Sequence, residues 1–470
     1  MNTLGLVALV NLGYAAMGLG LLGLVLPSAS GTSAIWPASL FVGMTTWTLA
    51  SIAAAGAGWD LPVWSLWISG ITLLIVSLVR SRRHGGGVRR PIARRVRAFV
   101  QRSGTQFAAL VLGIFVVFEV VMLRGALVRP VRDWDSWAFW ILKARALAAP
   151  DGLSSPVFGS GLYHHLEYPI FVPALWRNAW GLMDGWSTPA SQVQMVFLQA
   201  ACAGVAFVCI RRVGPAWAAA LGALVFATCP ALVMSLPTLY ADVPLALAGG
   251  AVTLSALAWY RAPSTDLLLI MGLAVAMLVS TKSEGLLIFV TLLLPLAALI
   301  LPRHRRKAIW WITAMVGGLL PYVVWRLAIS GVPIRADYEL SRLLDPPYLV
   351  DNADRAQMAA GELLRLVTAP PLVSMLAVGL MGLCVGILLG EWRMPAMAVS
   401  TLALALTGFT AIYAISDRGL DWYLTTSASR VTIAPLFILA VTGVFVAVDR
   451  LSAARSVAAR ERPKSSSASG

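Results

Sequence analysis

The sequence predicts an all-α polytopic membrane protein, and three observations carry that prediction. Hydrophobic residues make up 59% of the 470 and charged residues only 12%, where a soluble globular domain carries about 25% charged. Mean hydropathy is +0.80. Apolar runs of roughly 17–23 residues recur along the chain, long enough for a helix to cross about 30 Å of hydrocarbon.

About thirteen transmembrane helices are expected. The first, at 4–26, has no basic stretch before it and no Ala-x-Ala-type cleavage site after it, so it reads as a retained span rather than a removable signal peptide. Spans at 33–54 and 62–80 follow through short loops with almost no charge, and the three make an N-terminal accessory unit over residues 1–80. Residues 81–104 form a basic hinge, and the run Gly85-Gly86-Gly87 with Pro91 marks a boundary there. The span at 105–124 opens the main body, 105–449; Glu119 inside it is expected to be hydrogen-bonded within the bundle. A long loop at 125–190 precedes spans at 191–210, 215–235, 241–260, 265–281, 285–301 and 308–328. A second long loop, 329–372, precedes spans at 373–390, 394–415 and 431–449. Residues 450–470 are basic, and after Ala453 they have the composition of a disordered tail.

The loop at 125–190 carries two helical patterns. Residues 136–148 space Trp137, Trp140, Ile141, Ala144 and Leu147 for one apolar face, with Lys143 and Arg145 off it. Residues 170–183, with Trp176, Trp180 and Leu182, give a second amphipathic stretch. Both are expected to lie flat at the membrane interface.

Charge fixes an expected orientation. The loops that alternate with these two hold 22 of the 36 Lys and Arg but only 4 of the 21 Asp and Glu, leaving 14 basic and 17 acidic residues for the rest. Basic residues concentrate in cytoplasmic loops. The net charge of +15 is thereby a topology signal and a match to anionic inner-leaflet lipids. It is spread over loops rather than gathered in a stripe, which argues against nucleic acid. The N-terminus is expected outside, the C-terminus in the cytoplasm, and both long loops on the extracytoplasmic face of a cytoplasmic membrane. Cys202, Cys209, Cys229 and Cys384 fall inside spans without metal or disulfide spacing and read as packing residues.

Polar residues gather at the outer ends of the spans: Asp133 and Asp135, Lys143 and Arg145, His164-His165-Leu166-Glu167-Tyr168, Tyr240-Ala241-Asp242, Lys282-Ser283-Glu284, and Asp421-Trp422-Tyr423 through Arg430. An acid suits a general base that takes a hydroxyl proton, and cations suit a bound phosphate. Each also has a plainer reading. Asp135 and Asp242 fit helix N-caps, Lys143 and Arg145 fit snorkelling anchors, Lys282 and Glu284 fit a surface ion pair, and the tryptophans fit an interfacial belt. Agreement in side and depth, rather than any one residue, marks a site.

In order and topology these motifs resemble the GT-C superfamily of integral-membrane glycosyltransferases, in its bacterial branch related to protein O-mannosyltransferases and the lipid A aminoarabinose transferase. The resemblance covers about residues 105–449. It rests on Asp133-Trp134-Asp135-Ser136-Trp137 through Arg145, His165-Leu166-Glu167-Tyr168-Pro169, Tyr240-Ala241-Asp242-Val243-Pro244, Thr281-Lys282-Ser283-Glu284-Gly285, and Trp422-Tyr423-Leu424-Thr425-Thr426-Ser427 with Arg430. It implies inverting sugar transfer from a polyprenyl-phosphate-linked donor to a hydroxyl of a cell-envelope acceptor on the outer face. Asp135 would be the base, with Asp133 as its alternative. Lys143, Arg145, Lys282 and Arg430 would hold the donor phosphate, and His165, Glu167, Tyr168, Asp242, Glu284 and Trp137 would line the pocket. Members of the family differ in using a divalent ion, so Mg or Mn stays open, and no residue is assigned to a metal. Two other readings stand beside this one: a transporter or flippase of lipid-linked sugars, which should carry midplane charge on broken helices, and a lipid-linked glycan polymerase or ligase.

Overall fold

The computed structural model describes residues 2–25, 36–83, 103–159, 165–332, 338–417 and 419–461. Most of the basic hinge, His164 and the last nine residues lie outside that set. The protein is a multi-pass helical membrane protein. Among the described residues nine helices are long and apolar enough to cross a bilayer. They are α1 (Thr3–Val25), α2 (Ser39–Gly56), α3 (Val63–Arg83), α4 (Ser103–Val128), α7 (Thr188–Arg211), α9 (Asp242–Arg261), α12 (Ala308–Ala328), α15 (Arg393–Ala414) and α17 (Ile433–Glu461). α8 (Ala216–Ala227) continues after a break into Pro230–Thr238 with a bend of 44°, and makes a tenth if the pair is counted as one span. α10 (Thr265–Thr281), α11 (Glu284–Ile300) and α14 (Val373–Leu388) are apolar but shorter. The remaining labelled helices are α5 (Leu142–Ala148), α6 (Phe171–Trp180), α13 (Ala353–Val367) and α16 (Leu420–Thr426).

α7, α9, α10 and α17 form the centre. α9 is buried along its whole length after Asp242, with Ala, Gly, Ser and Thr at many positions. Small side chains let helix backbones approach closely where lipid offers no hydrophobic drive for association. The same device joins α14 to α17. A Cβ on Gly382 would overlap the carbonyl of Gly443, and one on Gly443 would overlap that of Gly379. The N-terminal three-helix unit shares a continuous core with this centre. Val7, Tyr14, Phe41 and Trp47 belong to the same buried cluster as Val193, Leu198 and Leu278. Across that junction Asn11 donates to Gln194 at 2.9 Å.

Three expectations are corrected, for α6, the tail and Glu119, and the second long loop is filled in. α6 does not lie on a surface: nine of its ten residues are buried, because α1, α2 and α7 enclose it. The tail is helical through Glu461, since its Ala- and Arg-rich sequence favours helix and Arg455 stacks over Trp217 at 5.6 Å. The loop 329–372 is largely folded, carrying Pro346–Asp351 and α13. Neither carboxylate oxygen of Glu119 has a hydrogen-bond partner among the described residues.

Candidate active site

The first long loop returns to the bundle through a wide helical turn at Ser136–Ile141 that runs on into α5. Asp135 precedes it, yet its carboxylate makes no capping bond. Ser136 instead donates to the carbonyl of Thr238, at the end of the broken span. That tie sets Asp135 beside the start of α9, 107 residues further along.

There the charged side chains interlock. Arg430 Nη1 donates to Asp135 Oδ2 at 2.5 Å, and Arg430 Nε to Asp242 Oδ2 at 3.1 Å. Lys282, extended between α10 and α11, donates to Asp242 Oδ1 at 3.0 Å and pairs with Glu284 at 2.8 Å. Asp242 is 2% exposed, a buried carboxylate shared by two cations. Such a group is tolerable only because it is paired on both oxygens. Burial alone would pull the Lys282 pKa down, but Asp242 and Glu284 outweigh it and hold it raised. The Arg430 guanidinium also lies over the Tyr240 ring at 4.1 Å. Burial lifts the Tyr240 phenol to about 12, with Arg430 opposing.

These groups face a cavity of about 610 Å³. Asp135, Arg430 and Tyr240 line one part of it, Lys282, Glu284, Glu167 and His165 another. Tyr168, Tyr338, Tyr413, Trp422 and Tyr423 give it aromatic walls. Among the described residues, Glu167 and Glu284 each keep one buried oxygen without a hydrogen bond. Burial opposes the Glu167 carboxylate, but its hydrogen bond to His165 at 3.3 Å and the nearby Lys143 hold its pKa lowered. Burial raises the Tyr338 pKa, and the charges of Glu284 and Glu167 raise it further. Among the described residues the non-glycine positions with positive φ are His165 (56°), which lines this cavity, and Leu239 (60°), next to the lining Tyr240. Such backbone is costly and tends to persist where a site fixes it.

The candidate residues divide by position. Asp135, Lys282, Arg430, His165, Glu167, Tyr168 and Glu284 come together at the cavity, with Asp242 directly behind it holding both cations. Asp133 accepts from Tyr240 at 3.4 Å and stands outside the lining. Lys143 does not reach the cavity as a free cation. It is 2% exposed and donates to the carbonyls of His165 at 2.6 Å and Tyr168 at 3.0 Å, so it pins the turn that presents Glu167. Burial lowers its pKa to about 7, with Glu167 opposing. Arg145 stacks over Trp186 at 4.7 Å in a different cavity. Trp137 is 41% exposed and donates to the carbonyl of Val131 at 3.1 Å, outside the lining.

Tyr240, Tyr338, Tyr413, Trp422 and Tyr423 line the cavity although they were not among the assigned residues. Tyr338 arrives from the second long loop, where it bridges to Ser416. Arg342 holds that loop down through Asp417 at 2.5 Å and the Ile415 carbonyl at 3.2 Å. The sequence signal available was Tyr and Trp near outer span ends, which an interfacial belt produces equally well.

Among the described residues no three His, Cys, Asp or Glu side chains are grouped to hold a metal. Asp135, Asp242 and Glu284 are each committed to a cation. The donor set among the described residues does not fit a resident Mg or Mn. No family model, curated protein or solved structure matches this chain.

Proposed function

We propose that this protein is a membrane glycosyltransferase of GT-C type, moving a sugar from a polyprenyl-phosphate-linked donor to a hydroxyl of a cell-envelope acceptor. The supporting observation is the convergence of Asp135, Arg430 and Lys282 on one cavity from segments up to 295 residues apart. In this reading the thirteen expected spans comprise the nine long helices, the bent pair and α10, α11 and α14. The cavity opens on the extracytoplasmic face of a cytoplasmic membrane.

The chemistry follows from the charges. A donor phosphate entering the cavity competes with Asp135 for the Arg430 guanidinium, whose fork suits phosphate oxygens as well as carboxylate. Asp135 is thereby freed to take the acceptor's hydroxyl proton. The acceptor oxygen bonds to the anomeric carbon from the face opposite the phosphate. The carbon–phosphate oxygen bond breaks, and the polyprenyl phosphate leaves with the electron pair, its growing charge met by Arg430 and Lys282. Attack from the opposite face inverts the anomeric centre. The unfilled oxygens of Glu167 and Glu284 are placed to accept hydrogen bonds from the sugar.

The test is transfer by purified protein in lipid, supplied with a panel of polyprenyl-phosphate sugars and an envelope extract as acceptor. Asp135→Asn and Arg430→Gln should each lose transfer by about a hundredfold or more while still folding. Unchanged turnover in Asp135→Asn would remove it as the base. Absence of transfer with every donor, together with flipping of a lipid-linked sugar, would favour the transporter. One observation stands on the transporter side, the break between α8 and Pro230–Thr238. Its freed Ala227 carbonyl is taken by Gln199 at 2.5 Å, and the break itself carries no charge. Its effect is to bring Tyr240 and Asp242 to Asp135.

A further inference from the structure

A second cavity, of about 670 Å³, lies across α5 from the first. One wall is the α2–α3 connection of the N-terminal unit, residues 60–64. The others are the end of α5, the end of α6 and the segment 182–186. The walls are fitted closely: a Cβ on Gly181 would overlap the Val63 side chain. Two arginines enter this space. Arg177 is neutralised by an ion pair with Asp60. Arg145 has no carboxylate partner among the described residues, and its guanidinium is held flat over the Trp186 indole at 4.7 Å. Asp184 also lines this cavity and, like Arg145, is exposed, so solvent and salt screen both. A preorganised arginine without an acid, stacked on an aromatic face, is a recognition device for phosphate or carboxylate.

From the second cavity an exposed aromatic pair leads back to the turn that follows Asp135. Trp186 packs edge-on against Trp137, ring centroids 6.0 Å apart, and they are 45% and 41% exposed. Trp137 lies two residues from Asp135. Exposed indoles offer a flat apolar surface to the C–H face of a sugar ring. The arrangement runs from Arg145, along two indoles, to Trp137 in the turn that Asp135 precedes.

We infer that the second cavity is an acceptor subsite, in which Arg145 binds an anionic group, phosphate or carboxylate, of the acceptor. The acceptor's hydroxyl-bearing end then lies along Trp186 and Trp137 towards Asp135. Its role as an acceptor subsite rests on the transferase reading; anion binding at Arg145 does not. The site also gives the first three helices a function, since without residues 60–64 it has no outer wall.

The experiment has two readouts on the full chain in detergent. The first is tryptophan-fluorescence titration with short-chain phosphatidylglycerol, inorganic phosphate and glucuronate, for wild type, Arg145→Ala, Arg145→Lys and Arg430→Gln. Loss of one charge-assisted arginine contact should weaken the Arg145-dependent binding about tenfold in Arg145→Ala, with partial recovery in Arg145→Lys; Arg430→Gln removes phosphate binding at the first cavity and should leave the Arg145-dependent component in place. Response to phosphatidylglycerol alone assigns the anion to a lipid headgroup. Response to phosphate or glucuronate as well assigns it to a soluble or glycan acid; either supports the site. Equal binding by wild type and Arg145→Ala, or loss only in Arg430→Gln, overturns it. The second readout is the acceptor concentration at half-maximal transfer, which should rise in Arg145→Ala while donor binding is retained. Arg145-dependent anion binding without transfer by any variant would sink the transferase reading alone. Transfer whose acceptor dependence ignores Arg145 would sink the subsite alone.

Discussion

Asp242 holds the charge order of the first cavity, and its removal separates structural from chemical effects. Asp242→Asn would remove the carboxylate that Lys282 and Arg430 share, leaving Lys282 with Glu284 alone and Arg430 with Asp135 alone. Breaking such a pair costs about 3–5 kcal/mol. Asp135→Asn, at the edge of the cavity and still able to accept from Arg430, should cost about 1 kcal/mol or less. Thermal unfolding in detergent should therefore find Asp242→Asn strongly destabilised and Asp135→Asn near wild type, with transfer lost in both. Equal stability of the two would refute the shared-carboxylate account. Lys143 makes a different prediction. Below pH about 7 it is charged both folded and unfolded, and the penalty for burying it is fully present. Between pH about 7 and the ~10.4 of an unfolded lysine, the folded protein has shed the proton that the unfolded chain keeps, so stability rises with pH. The unfolding temperature of wild type minus that of Lys143→Met should climb across that window; a flat difference would show that the carbonyls of His165 and Tyr168 hold the ammonium charged. Lys143 and Arg145 also show what the sequence could tell. Two residues apart on a helix they point to different faces, so they cannot serve one phosphate, and that much was legible. That Lys143 turns inward to two carbonyls was not, because the turn it binds has no periodic signature.

Helix positions were legible wherever apolar length decided them, and obscure wherever packing did. The spans at 242–261 and 308–328 read almost identically as sequence, yet the first is wholly enclosed and the second mostly faces outward. Composition records compatibility with an apolar environment but not whether lipid or protein supplies it. α6 was misplaced for the same reason: its amphipathic pattern suits an interface, and only the neighbouring α1 and α2 convert it to core. The crossing of α14 on α17 is a contact whose cause is local, in Gly379, Gly382 and Gly443. Gly443→Leu should force those helices apart and cost about 1–3 kcal/mol or more, the usual range for overpacking. Gly361→Leu in α13 of the second long loop, where an added side chain meets open space, is the control and should unfold near wild type. If both behave alike in thermal unfolding, close approach is not what joins α14 to α17.

Orientation governs the whole proposal, because the side of the membrane decides which donors can reach the cavity. The end of the bundle opposite the cavity is basic and internally tied. Arg261 bridges Glu391 and Asp449 at 2.6 Å each, and Arg303 stacks over Tyr260 at 4.7 Å. In the proposed reading the basic residues around this end are the ones the positive-inside rule assigns to the cytoplasm, and the cavity then faces outside, where nucleotide-activated sugars are absent and a lipid-linked donor would be required. The N-terminal three-helix unit shares a continuous core with the rest, so it cannot invert independently, and one pair of labels tests the entire chain. Cys384 is the exposed native cysteine, so Cys384→Ala supplies the background. Asp151→Cys and Asp354→Cys, both in exposed positions near the cavity end, should react with a membrane-impermeant maleimide in intact cells. Arg305→Cys, exposed at the opposite end, should react only after permeabilisation. The reverse pattern would place Asp135 and Arg430 in the cytoplasm, where a nucleotide sugar would be the available donor. The convergence of base and cations would survive that result, but the polyprenyl-phosphate donor and the envelope acceptor would both fall.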